Sequence, residues 1–241
     1  MKRPHILINV AMTADGKLDS VARKGTTISS FADKARVDCL RASTDAVLVG
    51  GRTLLDEDPK LTVQSSNLRA ERKAAGLDEN PIKVGIVSLA NLKTNGDFLI
   101  AGPARRIIYT TNRTTPEQIR SLENAGVEVF MMGKQRVDLS SAVESLYDQG
   151  IRKMLVEGGG TIIAEFFRLG LVDELTVYIA PVIFGGASAP TPADGPGFLP
   201  GQAPALNLES LEKFDDKGGI LVHYTVIPKG VTNNGSHLNA Y

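Results

Sequence analysis

Three consecutive glycines stand between a short apolar segment and a stretch of helix-forming residues. The apolar segment is 153–157, the glycines are Gly158, Gly159 and Gly160, and Thr161 follows. Glycines let the backbone turn sharply and approach a ligand closely. The free N–H groups of a first helical turn, with the positive end of the helix dipole, attract an anion. The pattern predicts a phosphate site, although a glycine-rich turn before an ordinary helix would show the same residues.

A second loop offers complementary chemistry after another apolar strand, 46–50. Arg52 and Thr53 supply a cation and a hydroxyl that suit a phosphate or a ribose. Glu57 can accept hydrogen bonds from ribose hydroxyls, and Asp58 precedes a proline that fixes the turn. A capped helix start with solvated acidic residues would look the same. Two such loops at strand ends together favour a dinucleotide ligand.

Glu157 places a carboxylate directly before the glycines. Since a carboxylate repels phosphate, it indicates a second ligand, rich in hydrogen-bond donors, beside the first. The common fingerprint Gly-x-Gly-x-x-Gly is not satisfied, because Ile163 stands where the last glycine would fall. The chain also has no Walker-type Gly-Lys-Ser/Thr sequence, which argues against a P-loop nucleotidase.

Strands and helices alternate along most of the chain, and these elements must position the two loops. The predicted strands are 5–12, 46–50, 82–88, 106–111, 127–131, 153–157, 174–180, 206–213 and 220–227. The predicted helices are 30–42, 116–125, one that Asp138 caps and Gly150 ends, and 161–169. Such alternation predicts an α/β fold with a mainly parallel sheet flanked by helices. The last strands lack helices between them, so an antiparallel edge and a mixed sheet are expected.

No linker divides the chain, and a single domain over 1–228 is expected. Three segments carry no clear period: 65–80 is polar and charged, 185–202 is dense in proline and glycine, and 229–241 is a polar tail expected to be flexible.

Composition excludes several classes of function. Lys+Arg and Asp+Glu both number 27, so no net field would attract nucleic acid or an anionic membrane. Hydrophobic content of 42% is ordinary for a soluble protein, and the sequence shows neither a signal peptide nor a membrane-spanning run. The single cysteine, Cys39, suits a reducing cytoplasm and is expected to be a packed thiol. The three histidines lie far apart, so no metal is expected.

Six motifs, in this order, carry a family resemblance. They are NVAMTADGKL at 9–18, LRA at 40–42, VGGRT at 49–53, DPKLTV at 58–63, VEGGGT at 156–161 and YIAPVIFGG at 178–186. Together they closely resemble the riboflavin-biosynthesis pyrimidine reductases, over roughly residues 5–227. Each motif alone is weakly specific, whereas the ordered set is highly specific.

The resemblance implies a dihydrofolate-reductase-like fold, a homodimer and NADPH as cofactor, with NADH possible. The implied reaction reduces the ribosylamino side chain of a pyrimidinone 5′-phosphate to a ribitylamino chain, by hydride transfer to the sugar C1′. Because the chain lacks the zinc deaminase segment of the bacterial bifunctional enzymes, it most resembles the stand-alone archaeal and fungal reductases. The favoured substrate is therefore 2,5-diamino-6-ribosylamino-4(3H)-pyrimidinone 5′-phosphate, and the deaminated uracil compound is the alternative.

The resemblance and the local chemistry together assign roles to individual residues. The residues expected to bind the cofactor are Thr53, Glu57, Gly158, Gly159, Gly160, Thr161, Ser88, Val10 and Arg52. The residues expected at the substrate are Arg41, Glu157 and Leu61. The expected catalytic residues are Asp58, Lys17 and Glu157. The planar fork of Arg41 suits a phosphate, but Gln64 stands where the bacterial branch carries a second phosphate-binding arginine.

Two other functions remain open at this point. Dihydrofolate reductase has similar cofactor loops, but it usually carries a tryptophan in its active-site loop, and this chain has none. A non-catalytic NADPH-binding module would not need a substrate side such as Glu157, Arg41 and Lys17 provide.

Overall fold

The computed structural model describes residues 2–228, so the predicted tail at 229–241 lies outside the described residues. The centre of the fold is one sheet of nine strands. Numbered along the chain, they are β1 (His5–Thr13), β2 (Ala46–Gly50), β3 (Ile82–Ile86), β4 (Arg106–Thr110), β5 (Glu128–Met131), β6 (Lys153–Gly158), β7 (Glu174–Ala180), β8 (Leu206–Lys213) and β9 (Ile220–Val226).

Helices connect most of these strands. They are α1 (Phe31–Ala42), α2 (Ser66–Ala74), α3 (Asp97–Ile100), α4 (Pro116–Asn124), α5 (Leu139–Asp148) and α6 (Gly160–Arg168), with a π-helical turn at Thr53–Glu57. Four helices begin after a side chain that accepts a hydrogen bond from the N–H three residues on, and these caps are Ser30, Ser65, Thr115 and Asp138. Each cap satisfies an N–H that the helix itself leaves free.

The strand order in the sheet is β5-β4-β3-β2-β6-β1-β7-β9-β8. All neighbouring pairs from β5 to β7 are parallel, whereas β9 pairs antiparallel with both β7 and β8. The predicted α/β fold with a mixed, mainly parallel sheet and an antiparallel edge is confirmed. Parallel pairing brings the carboxyl ends of β2, β3 and β6 to one edge, where the two predicted ligand loops begin.

Both faces of the central strands are buried. On one face, Ile8 and Val156 belong to a core cluster that includes Phe166 of α6. On the other face, Leu7 and Leu155 belong to a cluster that includes Phe98 of α3, with Leu40 of α1 packed against it. Burial on both sides explains why these strands have nearly continuous apolar sequences. No helix within residues 2–228 is long and apolar enough to cross a membrane.

The expectation that 65–80 lacks regular structure is wrong, because α2 lies within it. The sequence of α2 has no apolar face, so its periodicity does not predict a helix. A buried arginine holds α2 against the rest of the fold instead. The Nε of Arg72 donates to the Asp78 carbonyl at 2.8 Å, and its Nη1 donates to the carbonyls of Ala42 and Thr44 at 2.8 and 2.9 Å. Polar docking of this kind depends on residues distant in sequence, so local pattern cannot predict it.

Two smaller differences also have local causes. Cys39 is exposed on the outer side of α1 rather than packed, because the helix turns Asp33 and Asp38 inward. The segment 185–202 contains no helix or strand, as its composition predicts. Among residues 2–228, no three His, Cys, Asp or Glu side chains come together as a candidate metal site.

We expect Arg72→Ala to lower the free energy of unfolding by about 2–4 kcal/mol, because three carbonyl groups would lose a charged donor. Urea unfolding followed by circular dichroism measures this loss. The neighbouring Lys73 is the control, since its side chain is 62% exposed in a surface ion pair with Glu79, and Lys73→Ala should change the same quantity by less than about 0.5 kcal/mol. Equal losses for the two variants would contradict the docking role of Arg72.

Candidate active site

A cavity of about 550 Å³ opens at the carboxyl edge of the sheet, beside the ends of β2, β3 and β6. Its volume lies within the usual range of ligand pockets, about 300–1,000 Å³. Seven of the predicted cofactor residues line it, namely Arg52, Thr53, Glu57, Ser88, Gly159, Gly160 and Thr161. The apolar lining consists of Leu18, Ile86, Val137, Leu139, Ile162 and Pro190. The cavity thus combines polar loops with apolar walls.

The glycine turn forms the floor of this cavity at the start of α6. Gly158 has a φ of +125°, which favours glycine, and Gly159 caps the helix with an extended backbone. A Cβ at Gly160 would lie 2.0 Å from the Thr191 carbonyl oxygen, so a side chain is excluded there. No described residue accepts from the N–H groups of Gly160 and Thr161. These free donors at a helix N-terminus are suited to a phosphate.

The second loop meets the glycine turn directly. Thr53 begins the π-helical turn and is buried, and its Oγ1 lies 3.2 Å from the position of a Cβ at Gly159. Arg52 precedes the turn, is exposed and lines the cavity. Turns of this π type recur at functional sites in other proteins. The two loops that the sequence pairs as a dinucleotide site are therefore neighbours in the fold.

Acidic side chains also line the cavity, namely those of Asp19, Asp56 and Glu57. Asp19 accepts from the backbone N–H groups of Gly25 and Thr26 at 2.8 and 3.0 Å. Burial opposes its charge, but these hydrogen bonds and one from the Thr26 hydroxyl hold the pKa of Asp19 below its ordinary value. Burial raises the pKa of Glu57, and the carboxylates of Asp19 and Asp56 raise it further, while the Thr53 hydroxyl acts in the opposite sense.

Two long loops, one after β1 and one after β7, border the cavity and are hydrogen-bonded to each other. Asp15 accepts from the N–H groups of Phe184 and Gly185 at 3.2 and 2.7 Å. The Leu18 N–H donates to the Pro190 carbonyl at 2.8 Å, and the Asp194 N–H donates to the Gly160 carbonyl at 3.3 Å. The first loop follows β1 and the second follows β7, so the parallel pairing of these strands brings them together.

The two predicted substrate residues Arg41 and Glu157 form one bidentate ion pair. Nε and Nη2 of Arg41 donate to the two carboxylate oxygens of Glu157, each at 2.7 Å, and Nη1 donates to the Thr62 carbonyl at 3.0 Å. Both side chains are largely buried, with 18% and 13% exposed. Burial opposes the charge of Arg41, but Glu157 outweighs it and raises the pKa of Arg41. The pair joins α1 to the carboxyl end of β6.

Asp58 lies outside the cavity lining and serves the short helix α3. Its carboxylate accepts from the N–H groups of Asp97 and Phe98 at 2.7 and 2.9 Å. Lys83 donates to the carbonyls of Phe98 and Ala101 at the other end of α3, and burial lowers the pKa of Lys83 to about 8. The carboxylate that the sequence suggests as a proton donor is therefore engaged in capping a helix.

The cavity lining also lacks Arg41, Glu157 and Gly158, and three further predicted residues lie apart from it. Val10 is buried in the core cluster on the α6 side of the sheet. Leu61 is 1% exposed in the opposite cluster and has a φ of +49°. The side chain of Lys17 is half-buried, and no described residue pairs with its ammonium group. Lys17 nevertheless directly precedes Leu18, which lines the cavity.

Several lining residues escaped the sequence-based assignment. Arg136 and Val137 reach the cavity from the loop before α5, and Leu139 reaches it from the first turn of α5. The sequence around them does not indicate a ligand site, because Asp138 indicates only a helix cap. The sheet order brings that loop to the same edge as the glycine turn.

The family follows from comparison with known proteins. A cavity at the carboxyl edge of the sheet, over a glycine turn, lies where open α/β sheets bind their ligands. Residues 4–219 match the family model described as the RibD C-terminal domain. The chain belongs to this family.

Relatives of this chain include stand-alone enzymes. A 2,5-diamino-6-ribosylamino-4(3H)-pyrimidinone 5′-phosphate reductase of Archaeoglobus fulgidus is 38% identical over 197 residues, which are 82% of this chain and 89% of the relative. A protein of the same name from Methanothermobacter thermautotrophicus is 36% identical over 225 residues, or 93% and 99% of the two chains. The riboflavin biosynthesis protein RibD of Actinobacillus pleuropneumoniae is 31% identical over 231 residues, and this chain spans 58% of its length.

Solved structures share the fold. A pyrimidine reductase-like protein from Corynebacterium diphtheriae superposes with a TM-score of 0.79 at 21% identity, over 93% of this chain and 92% of the other. The riboflavin biosynthesis reductase of Saccharomyces cerevisiae gives a TM-score of 0.66 at 18% identity, over 93% and 90%. At these identities the likeness establishes the fold alone.

We expect Glu57→Gln to stabilise the folded protein at pH 7–8. Since the folded-state pKa of Glu57 lies above its ordinary value of 4.5, the ionised side chain is disfavoured in the folded state, and its penalty grows as the pH rises through the folded pKa. The gain should shrink toward zero near pH 4.5. Urea unfolding of both proteins across this pH range measures it.

Glu117→Gln is the matched control with the opposite sign. Glu117 is exposed, and its own backbone N–H and the Thr115 hydroxyl lower its pKa, so neutralising it should not stabilise the protein at pH 7. A stabilisation by Glu57→Gln that does not change with pH would contradict the burial of the Glu57 charge.

Proposed function

We propose that this chain reduces 2,5-diamino-6-ribosylamino-4(3H)-pyrimidinone 5′-phosphate to the ribitylamino product in riboflavin biosynthesis. Two stand-alone relatives that bear this name, at 38% and 36% identity and matched over most of their length, support the proposal. The observation in the structure that carries it is the free N–H pair of the glycine turn, which lines the cavity and directly follows Glu157 of the buried Arg41–Glu157 pair.

A reductase of this family uses a nicotinamide cofactor, and the cavity fits one. The donors of Gly160 and Thr161 suit its diphosphate, and the apolar side chains of Val137 and Leu139 suit a base. When bound, the cofactor supplies a hydride to the C1′ carbon of the opened ribosylamino group. Glu57, with its raised pKa, can hydrogen-bond ribose hydroxyls in either protonation state.

The substrate lies, in this proposal, against Glu157 and Arg41. Glu157 keeps lone pairs for donors of the substrate while both its oxygens accept from Arg41. Arg41 retains two N–H groups that neither Glu157 nor Thr62 uses, and these can meet the substrate phosphate. Since Asp58 caps α3, Lys17 is the remaining proposed proton donor from the sequence. The work of the protein is then mainly to hold two ligands in reacting geometry.

A homodimer is a further part of the proposal. The edge strand β8 exposes Leu208 and Leu211 by 53% and 64%, and Phe31 at the start of α1 is 89% exposed. Exposed apolar groups on an edge strand favour association with another chain. Sedimentation equilibrium measures the mass of the particle, and a monomer mass would contradict this part.

NADPH is the proposed cofactor because two arginines, Arg52 and Arg136, line the cavity and can meet a 2′-phosphate. We expect Arg52→Leu or Arg136→Leu to raise the KM for NADPH by about tenfold, because each variant loses one charge-assisted hydrogen bond to the cofactor. The KM for NADH should change less than twofold. Equal effects on both cofactors, in both variants, would contradict a 2′-phosphate contact.

The experiment that tests the function follows NADPH absorbance with three substrates: the diaminopyrimidinone ribosyl phosphate, its deaminated uracil counterpart, and dihydrofolate. We expect turnover of the first. Turnover of the deaminated compound alone would keep the reaction and change the substrate. Activity on dihydrofolate alone, or binding of NADPH without any turnover, would overturn the proposal in favour of a dihydrofolate reductase or a binding module.

A further inference from the structure

The loop between β7 and β8, residues 181–205, contains no helix or strand. It nevertheless borders the cavity, because Pro190 and Asp194 belong to the lining. A segment without regular structure lacks the ladder of backbone hydrogen bonds that fixes a helix or a strand. Contacts with the rest of the fold must therefore hold loop 181–205 at the cavity.

Asp15 holds the beginning of this loop. Its Oδ1 accepts from the Phe184 N–H at 3.2 Å, and its Oδ2 accepts from the Gly185 N–H at 2.7 Å. The hydroxyl of Thr13, a fully buried residue at the end of β1, donates to the same Oδ1 at 2.5 Å. Gly185 has a φ of +65°, so the chain turns at the residue that Asp15 holds. Asp15 thus fixes the direction in which the loop leaves β7.

The far part of the loop lies against the glycine turn. The Asp194 N–H donates to the Gly160 carbonyl at 3.3 Å, and the Thr191 carbonyl lies where a Cβ at Gly160 would be only 2.0 Å away. Oδ1 of Asp194 accepts from the N–H and the hydroxyl of Thr191 at 2.9 and 2.8 Å, which closes residues 191–194 into one turn. The planar peptide group that contains the Gly160 carbonyl also contains the Thr161 N–H. The loop therefore fixes the direction of a donor that the proposed function assigns to the cofactor diphosphate.

The side chain of Asp15 influences the cavity only indirectly, because Asp15 is not part of the cavity lining. Its neighbours Ala14 and Leu18 also contact the loop, through N–H groups that donate to the carbonyls of Val182 and Pro190 at 2.9 and 2.8 Å. Those are backbone contacts that most residue types could make. Within 13–18, all of which the structure describes, only Asp15 contacts the loop through a side-chain hydrogen bond.

We infer that Asp15 is a positioning residue for the diphosphate subsite of the cofactor. Asp15 fixes loop 181–205, and the loop fixes the peptide group between Gly160 and Thr161. The inference rests on the function proposed above and deepens it. Without Asp15 the loop is free to leave Gly160, and the donors of the glycine turn must be ordered when the ligand binds, which weakens binding.

Asp15→Ala tests this role in a binding experiment that needs no turnover. The dissociation constant for NADPH, followed by the fluorescence of the bound nicotinamide, should rise about tenfold. Asp15→Asn keeps one acceptor oxygen and should raise it less, by about threefold. If Asp15→Ala does not fold, Asp15→Asn carries the test. A dissociation constant within twofold of the parent value in the folded variant would overturn the inference.

A ligand without a diphosphate separates positioning from general damage to the cavity. Adenosine 2′-monophosphate, measured by its competition with NADPH, should bind the parent and Asp15→Ala equally within twofold. An equal loss of affinity for both ligands would overturn the assignment to the diphosphate subsite.

Asp45→Ala is the matched control. Asp45 also accepts from two backbone N–H groups, those of Arg152 and Lys153 at 2.8 and 2.9 Å, but it precedes β2 at the opposite edge of the sheet. Asp45→Ala should lower the urea midpoint and leave the dissociation constant for NADPH within twofold. A tenfold rise in this control would show that lost stability alone weakens binding, and it would overturn the inference.

Amide hydrogen exchange of the ligand-free protein tests the link between Asp15 and the loop. Peptides that cover 184–194 should exchange at least tenfold faster in Asp15→Ala than in the parent, and at the parent rate in Asp45→Ala. Unchanged exchange in Asp15→Ala would overturn the inference.

Failure of the inference and failure of the proposed function are distinguishable in this design. If the parent protein does not turn over the pyrimidinone substrate, the proposed function fails. If the parent turns it over and the Asp15 variants bind NADPH as tightly as the parent does, only the role of Asp15 fails.

Discussion

The ion pair between Arg41 and Glu157 is the contact on which the position of α1 against the carboxyl end of β6 depends. Two charged side chains are taken out of water between α1 and the sheet, and each satisfies the other with two hydrogen bonds of 2.7 Å. Removing one partner of such a pair leaves an uncompensated buried charge, which typically costs about 3–5 kcal/mol. The pair therefore constrains where α1 can lie on the sheet.

The loops that border the cavity are held differently, because carboxylates bind their backbone N–H groups. Asp15 accepts hydrogen bonds from backbone N–H groups of the loop after β7, and Asp19 accepts them from backbone N–H groups of its own loop. Neither carboxylate is paired with a cation in these contacts. The Thr13 hydroxyl and backbone donors lower the pKa of Asp15, and the Thr26 hydroxyl and backbone donors outweigh burial and lower the pKa of Asp19. Burial is the main cause that raises the pKa of Glu57, and the carboxylates of Asp19 and Asp56 raise it further.

Much of the architecture could be read from the sequence because it is locally encoded. Apolar runs such as 46–50 and the glycine turn at 158–160 predict their own strand and turn, and alternation predicts the mixed sheet. What could not be predicted depends on distant partners. Nothing near Arg72 reveals the three carbonyls that it contacts, nothing near Asp58 reveals α3, and the neighbourhood of Arg41 and Glu157 does not disclose that these two residues pair.

The same limit applies to the candidate site. Residues in ordered motifs, such as Thr53 and Thr161, could be placed at the cavity from their sequence context. Arg136 and Val137 could not, because only the sheet order brings the loop before α5 to that edge.

The exposed thiol of Cys39 makes the protein convenient to observe. The chain has one cysteine, and it lies on the solvent side of α1, two residues before Arg41. A thiol-reactive fluorophore would therefore attach at a single position without any engineered substitution. Its emission would report, in real time and in the unmodified sequence, on movements of the helix that bears Arg36 and Arg41 when ligands arrive.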